Sequence, residues 1–241
     1  TGFVALILLL TKVFESSGQS WGVILAIVAG ATMTLGNLVA LQQTNPVRLL
    51  AYSSISQAGF IIAPLAVSGI TGNYQDGIFA SVTYLIIYAF MNIGAFLSVH
   101  LFTNFTKSDN FYEWGGIAKH SPLTGVLTTV FFFSLAGIPP LGGWFAKFVV
   151  FRSLLSTGEI IGVSLAIVGA INAVIALVYY ARISKVIWMD ELKNPEEEKS
   201  FEFQSPLKVV GALTVLITFV AGIFPGIFSY LGEVSSIFFG N

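Results

Sequence analysis

Apolar positions in this chain fall in long unbroken runs, not in the alternation expected of strands. The runs are 1–14, 21–43, 46–69, 78–103, 121–155, 158–188 and 206–230, with polar connections between them. Each reads as a helix, because ~30 Å of hydrocarbon takes about 20 apolar residues to cross. The first run is too short for that, and it reads as the remainder of a helix cut at its N-terminal side. The chain opens on Thr1 within an apolar run, with no initiator methionine. Pro46 after Asn45 and Pro206 after Ser205 mark helix starts. The run 121–155 is interrupted by Gly137-Ile138-Pro139-Pro140 and then Gly142-Gly143. A broken span is tolerated in lipid only where protein or water takes up the freed backbone groups. The pattern predicts an all-α integral membrane protein. It would be one transmembrane domain over 1–241, a bundle of about seven helices of which one is broken.

Composition agrees with that reading. Hydrophobic residues make up 55% of the 241 and charged residues 10%, and mean hydropathy is +0.85. Soluble domains carry about 25% charged residues. A transmembrane barrel would show short alternating segments. With no cysteine there is no disulfide framework and no thiolate for a metal or iron–sulfur centre. Two histidines and a net charge of −1 give no case for haem or nucleic acid. Neither a phosphate-binding loop nor a dinucleotide turn is visible, so the expectation is no cofactor and no metal site in this chain.

Charge placement gives an orientation. Two connections are long and polar, 104–120 and 189–205; the acidic run Glu196–Glu198 in the second reads as a solvated loop. Alternating the connections puts Arg48, Lys107, Lys119, Arg182, Lys185, Lys193, Lys199 and Lys208 on one side, and Lys12 and Arg152 on the other. The positive-inside rule assigns the first side, with both long loops, to the cytoplasm, matrix or stroma.

Polar residues within the spans are the candidates for chemistry. Lys147 stands alone as a charge between Phe131 and Phe151. A lysine at that depth costs about 3 kcal/mol to insert. Burial also disfavours the charged form, so such an amine can load and release a proton. The rival reading is a lysine that snorkels to the headgroups, but Arg152 already fits the interfacial role. Tyr84, Tyr88 and Asn92 recur every four residues and share a helical face that could line a water path. Ser53 and Gln57 share another face, with Gln57 a path candidate and the serines packing groups. Asn172 reads as packing, Tyr179 and Tyr180 as an interfacial aromatic belt, and His100 as structural or a proton shuttle.

Several strings resemble the antiporter-like membrane subunits of respiratory complex I. They are Gly36-Asn37-Leu38-Val39-Ala40-Leu41-Gln42-Gln43-Thr44-Asn45, the stretch from Arg48 to Phe60 (RLLAYSSISQAGF), and Ser134 to Phe148 (SLAGIPPLGGWFAKF). Within that group the chain is similar to the subunit called N in bacteria and to its mitochondrial and chloroplast counterparts. Tyr179 to Val186 (YYARISKV) resembles the penultimate helix of that subunit. The resemblance implies a fourteen-helix protein, of which about helices 8–14 are here, with Lys147 as the lysine of the broken twelfth helix. Two positions depart from the family pattern. Phe3 stands where helix 8 usually has a lysine, and Val47-Arg48-Leu49 stands for Lys-Arg-Leu, with Arg48 as a compensating charge.

The resemblance implies a proton-translocating subunit of an NADH:quinone oxidoreductase-like complex, holding no redox centre itself. Its partners would be other membrane subunits, the bilayer and protons. Its setting would be a bacterial or archaeal plasma membrane or an organellar energy-converting membrane. The alternatives are a subunit of a multisubunit Na⁺/H⁺ antiporter or membrane-bound hydrogenase, or a scaffold that no longer pumps.

Overall fold

The computed structural model describes residues 2–191 and 205–240, the latter without the side chains of Ser205, Pro206, Lys208 and Gly240. Glu196–Glu198, Lys193, Lys199 and most of the predicted loop 189–205 lie outside the described residues. The order is α1 (Gly2–Leu8, continued by a π turn over Leu9–Val13), α2 (Gly18–Leu41), α3 (Pro46–Thr71), α4 (Tyr74–Thr106), α5 (Ile117–His120), α6 (Pro122–Ala136), α7 (Gly142–Ser156), α8 (Ile160–Met189), α9 (Ser205–Ile223) and α10 (Gly226–Gly240). No strand occurs among the described residues. Four helices, α2, α3, α4 and α8, are each long and apolar enough to cross a membrane, and the bent α9–α10 pair is a fifth candidate.

Local chemistry explains most of the boundaries. Asn45 caps α3 by accepting from the Arg48 N–H at 2.9 Å, with Pro46 at the first helical position. Gly72 ends the helix in the left-handed region at φ 76°. The predicted break is present, with α6 and α7 separated by residues 137–141. At 15 residues each, these halves reach roughly 22 Å, short of a full span.

One expectation is corrected. The predicted helix 206–230 stops at Ile223, and α10 leaves at 85°. The signal was Pro225-Gly226, a dipeptide that cannot continue a helix. The polar connection 104–120 also carries core residues. A 3₁₀ turn at Phe111–Trp114 and helix α5 put Phe111, Trp114 and Ile117 into the core.

The connections gather at two ends of the bundle. At one, the Phe111 N–H donates to the Thr44 carbonyl at 3.1 Å and the Gly116 N–H to that of Val186 at 3.2 Å. Arg182 there donates through Nη2 to the carbonyls of Leu41 and Gln43 and lies 5.3 Å from the Phe111 ring centroid. Arg48, Lys107, Lys119 and Lys185 are exposed at this basic end. At the opposite end the Tyr74 hydroxyl donates to the Glu15 carbonyl at 3.2 Å.

Candidate functional site

The site is built around the broken span. Gly137 takes φ 96° and closes α6, and the next two prolines, Pro139 and Pro140, have no N–H to continue a ladder. A helix end leaves four carbonyls without helical partners. Here all four are satisfied. Phe133 accepts from the N–H groups of Gly137 and Ile138, and Ser134 from that of Gly137. Leu135 and Ala136 accept from the ammonium of Lys147 at 3.0 and 2.6 Å. The lysine reaches back from α7 across the break because Gly143 has no side chain. A Cβ there would run into the Ser134 carbonyl. The Gly143 N–H then donates to Ser134 Oγ at 3.0 Å, tying the two half-helices together.

Lys147 is 5% exposed. No ion pair to it occurs among the described residues, and no acidic residue lies in α3, α6 or α7. Its charge is therefore met by the negative end of the α6 dipole, by two carbonyls and by the face of Phe60, 5.3 Å from the nitrogen to the ring centroid. This setting is short of the carboxylate that normally holds a buried ammonium charged.

The Leu135 carbonyl has a second donor. Gln57 Nε2 reaches it at 3.2 Å, and Gln57 Oε1 accepts from the Tyr84 hydroxyl. Tyr84 lies parallel to Phe60, the rings 6.1 Å apart. Tyr84, Gln57, the Leu135 carbonyl and Lys147 thus form one buried chain joining α4, α3, α6 and α7. An amide orients its neighbours but relays a proton poorly, so Gln57 is a positioning group between the tyrosine and the lysine.

Other sequence candidates fall around this chain unevenly. Tyr88 is half-buried one turn beyond Tyr84 on α4. Asn92 is half-buried and takes no part in these hydrogen bonds. Arg48 is exposed in the first turn of α3, nine residues or roughly 13 Å along the helix from Gln57, and lines a surface cleft with Gln43 and Tyr52. The structure thus does not bring it to Lys147. His100 is exposed, with Nε2 2.8 Å from Asn104 Nδ2. Phe3 packs half-buried against the core, and Val47 is exposed.

Tyr179 and Tyr180 are not an interfacial belt, since both are fully buried. The Tyr179 hydroxyl donates to Asn37 Oδ1 at 2.9 Å, and Asn37 Nδ2 donates to the carbonyl and Oδ1 of Asn172. Those bonds bolt α8 to α2. The Tyr180 hydroxyl shares a 2.5 Å hydrogen bond with Ser53 Oγ. Sequence reasoning missed both tyrosines because a Tyr-Tyr-Ala-Arg run near a helix end looks the same at an interface as in a core. The one available signal was the spacing of seven between Asn172 and Tyr179, which puts them on one face.

Long apolar helices around a buried amine that is set on the carbonyls of a broken helix define the class, a polytopic membrane protein with a polar centre. The family model described as "NADH:quinone oxidoreductase/Mrp antiporter, TM" matches residues 2–175, and the chain belongs to that family. It is an integral membrane protein. Among the similar relatives, the NAD(P)H-quinone oxidoreductase subunit 2 of Rippkaea orientalis is 37% identical over 92% of this chain and 43% of its own length. The NADH-quinone oxidoreductase subunit N 2 of Rhizobium meliloti is 39% identical over 98% of this chain and 47% of its own. The chain thus spans less than half the length of these curated relatives. A chain in the Mrp complex from Dietzia superposes with a TM-score of 0.82 at 20% identity, over 97% of this chain and 50% of that one. That likeness shows the fold.

Proposed function

We propose that the chain supplies a lysine-centred proton-handling element to the membrane arm of an NADH:quinone oxidoreductase-type complex. The observation that carries the reading is Lys147, buried at a helix break and bonded to backbone carbonyls in place of a carboxylate. A charge held this weakly can switch. The amine loads a proton when a neighbouring charge favours it and releases the proton when that charge moves, while the α6 carbonyls keep its place. Gln57 and Tyr84 position the lysine, and Tyr88 lies next along the same face.

Quinone reduction is assigned to other subunits of the complex, because the sequence has no cysteine for an iron–sulfur centre. The basic end is assigned to the negative side of the membrane.

Substitution of Lys147 in the assembled complex tests this, with quinone-linked turnover and proton uptake in sealed vesicles normalised to complex content. Lys147→Ala is expected to assemble and to lose most coupled uptake. Lys147→Arg keeps donors for the two carbonyls but does not release a proton at accessible pH, so it should assemble and remain impaired. Were the lysine only a cap for α6, arginine would restore full turnover. That result would favour the scaffold reading.

A further inference from the structure

A proton carrier needs a supply route, and the contact of α3, α6 and α8 contains a run of hydroxyls leading to Lys147 from the basic end. Tyr180, Ser184 and Trp188 recur every four residues and lie on one face of α8. At the basic end, Trp188 Nε1 donates to Thr129 Oγ1 of α6 at 2.9 Å, and both residues are half-buried. One turn inward is Ser184, 6% exposed, whose hydroxyl has no protein partner among the described residues. Another turn in, the Tyr180 hydroxyl meets Ser53 Oγ at 2.5 Å while its ring packs against Phe132, centroids 5.5 Å apart. Ser53 precedes Gln57 by one turn of α3, and Gln57 shares the Leu135 carbonyl with Lys147.

Two properties separate these hydroxyls from ordinary helix packing. Many serines and threonines in this bundle bond to a carbonyl of their own helix, as Ser54 does to Leu50, Thr128 to Thr124 and Thr218 to Thr214. Such a hydroxyl has spent its proton on the backbone. Ser53 and Tyr180 bond hydroxyl to hydroxyl, so each can donate and accept in turn. Ser184 is bonded to neither. A buried polar group without a protein partner is where ordered water is expected. Ser184 and Tyr180, like Ser53 and Gln57, are one helical turn apart, about 5–6 Å between their Cβ atoms, and bridging water is what would link their polar ends.

We propose that Ser184, Tyr180 and Ser53 form the proton-supply route from the basic end of the bundle to Lys147, with water bridging the one-turn gaps. The proposal rests on the reading of Lys147 as proton carrier. A proton entering beside Trp188 reaches Ser184 through water, because the Thr129 hydroxyl there donates to the Gly125 carbonyl, and then passes along the hydroxyls of Ser184, Tyr180 and Ser53, each giving up one proton as it takes another, so that no group keeps a net charge. Delivery ends at the free amine, which becomes the ammonium held by the Leu135 and Ala136 carbonyls. Gln57 holds the last water against the lysine without relaying the proton itself.

The test uses the whole complex in sealed vesicles, comparing Tyr180→Phe, Ser184→Ala, Ser184→Thr and Lys147→Ala at equal amounts of assembled complex. Tyr180→Phe keeps the ring on Phe132 and removes only the hydroxyl. It is expected to slow proton uptake several-fold. Ser184→Ala should slow it as well, and Ser184→Thr, which retains a hydroxyl, should run near the parent rate. Thr32→Ala, whose hydroxyl bonds within α2 to Val28, should be unaffected. Parent-rate uptake in both Tyr180→Phe and Ser184→Ala, with Lys147→Ala still defective, would overturn the route and leave the lysine in place. Parent-rate uptake in Lys147→Ala would remove the carrier reading itself. Should Tyr180→Phe assemble poorly, Ser184→Ala decides, because it deletes a hydroxyl with no protein partner to lose.

Discussion

Helix α3 has two faces that solve different problems. Toward α2 it presents Tyr52, Ser56, Gly59, Ala66 and Gly69. Gly59 sits against Ala29 and Met33, Gly36 of α2 against Tyr52 and Ser56, and Gly18 against Gly69. A Cβ at Gly59 would come within 2.8 Å of the Ala29 carbonyl oxygen. About a third of a turn round, α3 presents Ser53, Gln57 and Phe60 to Tyr180, Leu135 and Lys147. The first face is held by close backbone approach, which is how helices associate in lipid without a hydrophobic driving force. Polar side chains are not needed for adhesion, as the glycine face demonstrates. The second face meets Lys147 of α7, a costly lysine with no anionic partner among the described residues, and its polar groups converge on a helix break.

The comparison can be broken at either face. The largest effect is expected from Gly59→Val. Overpacking costs about 1–3 kcal/mol in general, and here the clash is with backbone that cannot yield. The variant should leave little assembled complex in membranes, measured by its abundance after mild solubilisation; parent-level assembly would mean that α2 and α3 do not meet this closely. Gln57→Leu should act on the other face. It leaves the Tyr84 hydroxyl without its acceptor and removes one donor to the Leu135 carbonyl but keeps the side-chain volume. Assembly should be normal and proton uptake several-fold slower, and unchanged uptake would return Gln57 to simple packing. Asn37→Leu removes the bolt between α2 and α8. Interhelical hydrogen bonds in membranes contribute about 0.6–2 kcal/mol, so a lower unfolding temperature with near-parent uptake is expected. A strong uptake defect without loss of stability would extend the functional face to Asn37. The smallest perturbation is Ser108→Cys, informative because the chain has no native cysteine. Activity should be unaffected, and an impermeant thiol reagent should label it from the negative side only. Labelling from the positive side would reverse the assigned orientation.

Much of the fold and the centre of the site were legible in the residues themselves. The broken helix follows from Gly137, Pro139 and Pro140, whose backbone limits act within a few residues. Lys147 announced itself as one charge in an apolar run. Tyr84 and Gln57 were found as candidates, but not as partners of each other. The resemblance to the complex I subunits agrees with the family match over residues 2–175.

The sequence by itself determined where the chain is helical, where it breaks and which amine is buried, because those depend on local backbone chemistry and on the cost of charge in hydrocarbon. Only the tertiary structure decided what the buried groups face. Lipid is as apolar as a protein interior, so a helix apolar all round has no hydrophobic stripe to say which side turns inward. Tyr180 looked interfacial in sequence and is fully buried against Ser53 and Phe132. The partners of Lys147 are the Leu135 and Ala136 carbonyls. Every residue has such a group, and only the break in α6 makes these two available.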